Sequence, residues 1–174
     1  MNLIIRPSHD DDVPVMAAIY AASVATGTAS WEYEALDVAE FARRRAEVLA
    51  NGYPYFAADL EGRIVGYSYA SAYRARIGYR FTVEDSVYVF DEMQGRGIGK
   101  QLLATLIDEC ARRGYRQMIA VIGDSANLGS IRLHAACGFT QVALFKGIGF
   151  KFGRWLDSVQ MQRTLGVGSN TRPA

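Results

Sequence analysis

The sequence predicts a single domain of mixed α/β architecture, with a hairpin-rich first half and alternating strands and helices in the second half. Short runs of β-favouring residues and longer runs with apolar residues at helical spacing follow one another along the chain. Glycine, asparagine and aspartate mark the boundaries between these runs. Hydrophobic residues make up 50% of the 174 residues, which is enough for one full core.

The first half predicts a strand, two helices and a hairpin. Acidic residues at 10–12 and Pro14 indicate the start of the first helix, and Gly27 indicates its end. The pair Asn51-Gly52 closes the second helix. A turn at 60–63 lies between two β-rich runs, which is a hairpin signal. The predicted elements are a strand at 3–5, helices at 10–27 and 37–49, and strands at 55–59 and 64–73.

The second half predicts strands separated by helices. Leucine and isoleucine recur at helical spacing between Gly97 and Arg113, and a shorter helix stops at Gly138. The predicted elements are strands at 84–90, 118–122, 139–145 and 158–165, and helices at 97–113 and 130–136. We expect the domain to span 1–165. The Gly-, Ser-, Asn- and Thr-rich segment 166–174 is predicted to be a disordered tail.

Charge and hydropathy exclude several classes of protein. The formal net charge is +1 and no long run of one sign occurs, so nothing indicates a nucleic-acid or membrane-surface binder. The first twelve residues soon turn acidic and do not resemble a secretory signal. No window approaches the ~20 apolar residues of a membrane span. We therefore expect a soluble, cytoplasmic protein.

Cysteine and histidine are too few for a disulfide framework or a histidine-rich metal site. Cys110 and Cys137 lack CxxC spacing, and we expect both to be small buried hydrophobic residues. His9 and His134 are the only histidines. We therefore predict no metal cofactor.

A strand followed by a glycine-rich turn and a helix is the main chemical signal. Residues 87–89 are β-favouring, and residues 94–100 read QGRGIGK before the periodic helix. Free N–H groups and the helix dipole make such a helix start an anion site, and glycines let a pyrophosphate approach the backbone. Gln94 and Gln101 break the P-loop pattern, and Lys100 breaks the dinucleotide pattern. The remaining readings are a Q-x-x-G-x-G loop and a glycine-rich turn without a ligand.

The Q-x-x-G-x-G loop resembles the coenzyme A pyrophosphate loop of the GCN5-related N-acetyltransferase (GNAT) superfamily. Downstream, Asn127 begins a segment similar to the superfamily's N-x-x-[SA]-x-x-x-Y-x-x-x-G-F, with His134 in place of the tyrosine. Residues 82–89 read TVEDSVYV and resemble the TVEHSVYV of phosphinothricin and methionine sulfone acetyltransferases, with Asp85 in place of the histidine. Residues 151–157 read KFGRWLD, as in that group. The resemblance runs from about Ile4 to Leu165.

The resemblance implies a mixed, mostly antiparallel central sheet with flanking helices, acetyl-CoA as cosubstrate, and a homodimer. It implies that the strand of residues 87–89 pairs with the pantetheine arm and offers a backbone N–H to the oxyanion. The implied cofactor-binding residues are Val87, Tyr88, Val89, Gln94, Gly95, Arg96, Gly97, Ile98, Gly99, Lys100, Asn127 and His134. Asn127 also has a simpler interpretation as a helix N-cap.

Glu84 and His134 are the candidate catalytic residues. The match places Glu84 at the substrate amine, where a base would remove the proton; its alternative is a solvated strand-end carboxylate. His134 stands at the tyrosine position and could protonate the departing thiolate, because histidine titrates near neutral pH. It could equally be a helix histidine that bonds coenzyme A or the backbone. Unaided departure of the thiolate is also conceivable.

An amino-acid substrate needs a partner for its carboxylate. Arg74, Arg76 and Arg80 precede Glu84, and an arginine fork suits a carboxylate, although a solvated loop would look the same. Trp31 is either a pocket wall or a core aromatic. The implied substrate-binding residues are Trp31, Arg74, Ala75, Arg76, Arg80, Glu84, Asp85 and Ser86.

The resulting hypothesis is an enzyme that acetylates the α-amine of a small amino-acid-like substrate. A protein N-terminal or lysine acetyltransferase of the same fold is one alternative. A coenzyme A-binding regulator without activity is the other.

Overall fold

A computed structural model describes residues 2–173, and its elements follow the predicted order. The strands are β1 (Leu3–Pro7), β2 (Tyr55–Leu60), β3 (Arg63–Ala72), β4 (Thr82–Val89), β5 (Gln117–Gly123), β6 (Thr140–Lys151) and β7 (Arg154–Thr164). The α-helices are α1 (Val13–Thr26), α2 (Val38–Ala50), α3 (Ile98–Arg112) and α4 (Leu128–Ala136). No helix among residues 2–173 has the length and apolar character needed to cross a bilayer.

All seven strands belong to one sheet, with the order β1-β2-β3-β4-β5-β7-β6. Every neighbouring pair is antiparallel except β4 and β5, which are parallel. The parallel ladder is short: it runs from Thr82 opposite Gln117 to Glu84 opposite Ile119 and has no further pairs among the described residues. Both strands continue beyond that point, so they separate and leave a groove in the middle of the sheet. The predicted mixed, mostly antiparallel sheet with flanking helices is confirmed.

Helices cover both faces of the sheet because the strands alternate their side chains. On one face, Tyr55 and Tyr67 pack against α1 and α2 in a cluster that includes Phe41. On the other face, Leu103 and Leu106 of α3 pack in the main core with residues of β4, β5 and β7. The sheet is thus buried between two layers, and its central groove is the place where a ligand can reach it.

The last hairpin is longer than the sequence predicts. Strands β6 and β7 extend to Lys151 and Arg154 around a tight turn in which Phe152 and Gly153 both have positive φ. The disorder of 166–174 stays a prediction, and residues 166–173 follow β7 in the structure. They contain the single 3-10 turn Gly168–Asn170, which Arg116 holds through the Gly168 carbonyl. Ala174 lies outside the described residues.

Both cysteines lie where the sequence predicts. Cys110 on α3 is fully buried, and Cys137 after α4 is buried as well; both are free thiols. Burial raises the pKa of Cys110 to about 12, so its reactive thiolate form is suppressed. The two cysteines are packing residues.

Candidate active site

The glycine-rich turn leads into α3 as the sequence predicts. Gly97 stands at the N-cap with φ of 79°, in the left-handed region that favours glycine, and Gly95 also has positive φ. The first N–H groups of α3 have no partner within the helix, which is the condition for anion binding. Gly99 serves a second purpose, because a Cβ there would lie 3.3 Å from Leu133 of α4. The glycines thus shape the cradle and also let α4 approach.

A groove of about 530 Å³ begins at this cradle and passes between α1 and α4. Eleven of the twelve residues predicted to bind the cofactor line it; Arg96 is the exception. The groove also has walls that sequence reasoning missed. They come from the first helix and from α4, and include Ile19, Ala22, Ser23 and Arg132. No local motif identifies those residues, because they reach the groove only through the packing of distant helices.

A smaller cavity of about 240 Å³ occupies the split between β4 and β5. It holds the predicted substrate residues Trp31, Glu84, Asp85 and Ser86, together with Asn127 and His134. Asn127 also acts as the N-cap of α4, since its Oδ1 accepts from the Ser130 N–H at 3.2 Å. The cap interpretation is therefore confirmed, and a position beside the groove is compatible with it.

Glu84 stands where the parallel ladder ends. It is opposite Ser71 of β3 on one side and Ile119 of β5 on the other. Burial, and then the nearby charge of Asp85, raise the pKa of Glu84 to about 7. A carboxyl group with such a pKa can accept a proton near neutral pH. The solvated-carboxylate alternative does not fit this environment.

His134 and Asp85 form a buried pair across the groove. His134 Nε2 lies 2.9 Å from Asp85 Oδ2, and His134 Nδ1 lies 2.8 Å from the Ser130 carbonyl oxygen. Burial lowers the pKa of His134, but the hydrogen bond and charge of Asp85 and the Ser130 carbonyl outweigh it, so the pKa is raised overall. Both ring nitrogens therefore have partners within the protein.

A third cavity of about 720 Å³ lies on the other side of Glu84. Trp31 and Arg74 line it, but Ala75, Arg76 and Arg80 do not contribute to any of the three cavities. The Arg74 guanidinium carbon lies 5.2 Å from the ring centre of Tyr73 and 5.8 Å from that of Tyr79. These contacts orient the group without neutralising it, and no described carboxylate pairs with it. Arg74 is thus available to an anion.

The last hairpin supplies another wall of this cavity, and the sequence prediction did not include it. Apolar Val142, Phe145 and Ile148 of β6 line the cavity together with polar Ser158 and Gln160 of β7, and Phe145 lies opposite Ser158 in the ladder. Four of these five residues lie within the predicted strands 139–145 and 158–165, but no local motif links them to a ligand. Only Ile148 lies outside the predicted strands, in the extension of β6.

Trp31 is held in place by the same hairpin. Its ring packs directly over Gly149, where any Cβ would collide with the ring. The Lys151 side chain is buried, and its ammonium donates to the carbonyls of Val24, Gly27 and Ser30 at 2.9, 3.0 and 2.9 Å. The three donors of this lysine are therefore all used on the chain segment that presents Trp31. Trp31 lines both the 720 and the 240 Å³ cavities, as a pocket wall would.

Strand β7 makes two further polar contacts near the site, both with the loop that follows β5. Arg154 pairs with Asp124 at 2.5 Å, and Asp157 accepts from the Ser125 hydroxyl at 2.7 Å. They hold the loop between β5 and α4 against β7. Among residues 2–173, no group of three or more histidine, cysteine, aspartate or glutamate side chains is arranged to hold a metal ion.

A sheet that splits beside a glycine-rich helix start defines a class of protein. Residues 16–139, well over half of the chain, match the acetyltransferase (GNAT) family. The chain belongs to that family, and it is an acetyl-CoA-dependent N-acetyltransferase.

Two curated relatives and one solved structure are similar to this chain over nearly its whole length. The chain is 51% identical over 169 residues to phosphinothricin N-acetyltransferase of Alcaligenes faecalis, covering 97% of this chain and 86% of that protein. It is 40% identical to L-methionine sulfoximine/L-methionine sulfone acetyltransferase of Salmonella typhimurium, covering 94% and 95%. The crystal structure of a GNAT superfamily phosphinothricin acetyltransferase from Sinorhizobium meliloti in complex with acetyl-CoA matches with a TM-score of 0.97 and 47% identity, covering 100% of this chain and 94% of that one.

Proposed function

We propose that this enzyme transfers the acetyl group of acetyl-CoA to the α-amine of a small amino-acid-like substrate, of the phosphinothricin, methionine sulfone or methionine sulfoximine type. The observation that carries the proposal is the position of Glu84, which lines both the 720 Å³ cavity and the 240 Å³ cavity in the split sheet. An amine in the first cavity and a thioester in the second would meet at this carboxylate. The two relatives named for these substrates support the assignment.

The cofactor groove has features that suit coenzyme A. A pyrophosphate would lie at the start of α3, where Gly97 keeps the backbone open and Lys100 adds positive charge. The pantetheine arm would lie along β4, because the edge of residues 85–89 toward β5 has no ladder partner. The Sinorhizobium meliloti relative was solved with acetyl-CoA, which supports the same ligand here.

The chemistry requires a base and a donor to the oxyanion. Glu84 removes a proton from the substrate ammonium, and the free amine then attacks the thioester carbonyl. A backbone N–H of β4 in the segment 87–89 donates to the oxyanion of the tetrahedral intermediate. Collapse of the intermediate breaks the C–S bond, and the nitrogen gives its second proton to the departing sulfur, so that the products are the amide and the coenzyme A thiol. No covalent intermediate with the enzyme is needed.

Arg74 is the residue that we assign to the substrate carboxylate. It is the only one of the three candidate arginines that lines the cavity beside Glu84. Its guanidinium is oriented by two tyrosine rings and is not neutralised by a described carboxylate. A carboxylate bound there would place the α-amine within the same cavity as Glu84. This arrangement favours an amino acid over a lysine side chain of a protein.

We also propose that the enzyme is a homodimer, formed through the β6–β7 hairpin. That hairpin exposes Ile148 at 60%, Phe152 at 52% and Trp155 at 69%. Contiguous apolar exposure of this kind is typical of an interface. Because Ile148 also lines the substrate cavity, a second copy would close that cavity from one side.

The dimer has a direct test by sedimentation. Trp155→Asp should yield a folded monomer in analytical ultracentrifugation. Val38→Asp, a change at an apolar residue 49% exposed on α2, serves as the matched control and should remain dimeric. A wild-type protein that sediments as a monomer would rule out the proposed interface.

A cytoplasmic location completes the proposal, and the two free cysteines are consistent with a reducing compartment.

A screen of acetyl-CoA turnover by thiol release tests the activity. The substrates are free amino acids, their sulfone, sulfoximine and phosphinate analogues, and a peptide with a free N-terminus and a lysine. We expect turnover with the free analogues and none with the peptide. Turnover with the peptide alone would transfer the assignment to protein acetylation. Acetyl-CoA binding without turnover of any amine would favour a regulator.

A further inference from the structure

Asp85 and His134 are the most deeply buried titratable pair beside the reaction path. Their side chains are 2% and 6% exposed, respectively, and their bonded atoms lie 2.9 Å apart. Asp85 belongs to β4 and directly follows Glu84, whereas His134 belongs to α4. Both stand at positions where this sequence departs from the family motifs. Asp85 and His134 contact each other in the structure, so the two residues that differ from the motifs act on the same site.

The hydrogen-bond partners of His134 show where the protons of the pair lie. A carbonyl oxygen can only accept, so His134 Nδ1, which lies 2.8 Å from the Ser130 carbonyl, carries a hydrogen. His134 Nε2 faces a carboxylate oxygen at 2.9 Å, and this contact needs one proton between the two atoms. Burial lowers the pKa of His134, but the hydrogen bond and charge of Asp85 raise it overall, so we place this proton on the imidazole. Both N–H groups of His134 are therefore used inside the protein, and neither is free for a departing thiolate.

The second carboxylate oxygen of Asp85 indicates what the pair does for the site. Asp85 Oδ1 is buried and has no hydrogen-bond partner among the described residues. Such an atom is costly unless the surrounding site uses it. Asp85 lines the 240 Å³ cavity together with Glu84 and His134. After burial, Asp85 is the next largest cause that raises the pKa of Glu84.

We propose that Asp85 and His134 act as one positioning unit, a carboxylate–imidazolium pair with one proton between His134 Nε2 and Asp85 Oδ2. This pair fixes β4 against α4 and sets the charge state of Glu84 during acetyl transfer. The role of Glu84 belongs to the proposed function, and this inference rests on it. The proton held by the pair can be observed independently of any activity.

Few other charged or titratable side chains face Glu84. The two cavities around it contain phenols, one guanidinium and the Asp85–His134 pair as their titratable or charged side chains. Among these neighbours, the charge of Asp85 is the one that raises the pKa of Glu84. The phenols come from β3, β4 and the loop between them, and the guanidinium from that loop: Tyr69, Tyr73, Arg74, Tyr79 and Tyr88.

Nuclear magnetic resonance of the histidine nitrogens tests the pair directly. His9→Gln leaves His134 as the only imidazole of the chain. Its titration midpoint should lie above about 6.5, the ordinary value for histidine. Asp85→Asn should lower that midpoint by about one pH unit or more, since a hydrogen bond to a charged partner contributes about tenfold or more to an equilibrium constant. A wild-type midpoint at or below 6.5, which requires no folded Asp85 variant, overturns the proposal.

The pH profile of kcat/KM tests the consequence for Glu84. In Asp85→Asn the acid limb should move to lower pH by about half a unit or more, because a neighbouring like charge has been removed. Asp108→Asn, an equivalent change at an exposed position of α3, should leave the limb in place. A purely structural Asp85 would lower stability or rate without moving the limb, and that outcome also overturns the proposal. If no amine is acetylated at all, the proposed function fails, and the nitrogen titration still decides the pair.

Discussion

Glu84→Gln is expected to stabilise the protein at alkaline pH while it abolishes most of the activity. The pKa of Glu84 is raised from 4.5 to about 7 in the folded state. Because the folded value is higher, the neutral carboxyl contributes stability that is complete below about pH 4.5 and is lost as the pH rises through 7. A difference of about 2.5 pKa units corresponds to about 3 kcal/mol. Glutamine is never charged, so the variant avoids this loss.

The assay is thermal unfolding of the ligand-free protein at two pH values. At pH 8 the variant should be more stable than wild type by about 3 kcal/mol, or about 6–12 °C in Tm for a domain of this size. At pH 5 the difference should fall below about 1 kcal/mol, because Glu84 is then neutral in the folded wild type. Glu34→Gln, a change at an exposed loop carboxylate, should show no such pH dependence.

Activity measurements on the same variant complete the argument. Turnover should fall by about 10²-fold, the usual scale for loss of a general base. The deficit should shrink as the pH rises, because more of the substrate amine is already deprotonated. Acetyl-CoA affinity should remain, since the proposed contacts are backbone groups of β4 and α3. A Glu84→Gln protein with wild-type stability at pH 8 and near-normal turnover would refute both the raised pKa and the catalytic role.

Three further predictions concern the walls of the site. Arg74→Ala should raise KM for a carboxylated amine about tenfold, the scale of one lost charged hydrogen bond, whereas exposed Arg76→Ala should not; steady-state kinetics would contradict us if both variants matched wild type. Gly97→Val forces a β-branched residue to φ of 79° and should weaken acetyl-CoA binding about tenfold or more, and unchanged affinity by calorimetry in a folded variant would reject the cradle. Lys151→Met leaves three carbonyls without their donor and should cost about 3 kcal/mol in thermal or denaturant unfolding, whereas Lys146→Met at an exposed side chain should be neutral; equal losses would discount the contacts of Lys151.

Local signals explain why much of the site could be predicted from the sequence. The turn at residues 94–100 predicts an anion cradle by itself, because strand, glycines and helix start are adjacent along the chain. Its residues line the groove in the structure, apart from Arg96. Glu84 could be selected through its place in the TVEDSVYV segment. Its environment could not, because the raised pKa depends on where β4 and β5 separate.

Long-range packing explains what the sequence did not show. Three arginines within seven residues look equivalent along the chain, and only the folded loop places Arg74, and not Arg80, beside the substrate cavity. The contribution of α1 to the cofactor groove also depends on tertiary contacts. The Asp85–His134 pair joins residues 49 positions apart, and neither residue type alone predicts the other.

The hydrogen bonds from Lys151 to the segment before Trp31 join parts of the chain that are synthesised at different times. The three acceptors lie between 121 and 127 residues earlier in the chain. Gly149, against which the Trp31 ring packs, belongs to the β6–β7 hairpin near the end of the chain. The residues that line the cofactor groove all lie between positions 19 and 136 of the chain, whereas this wall of the amine pocket needs the hairpin that follows them. The amine pocket is therefore the part of the site that is completed by the last residues to be synthesised.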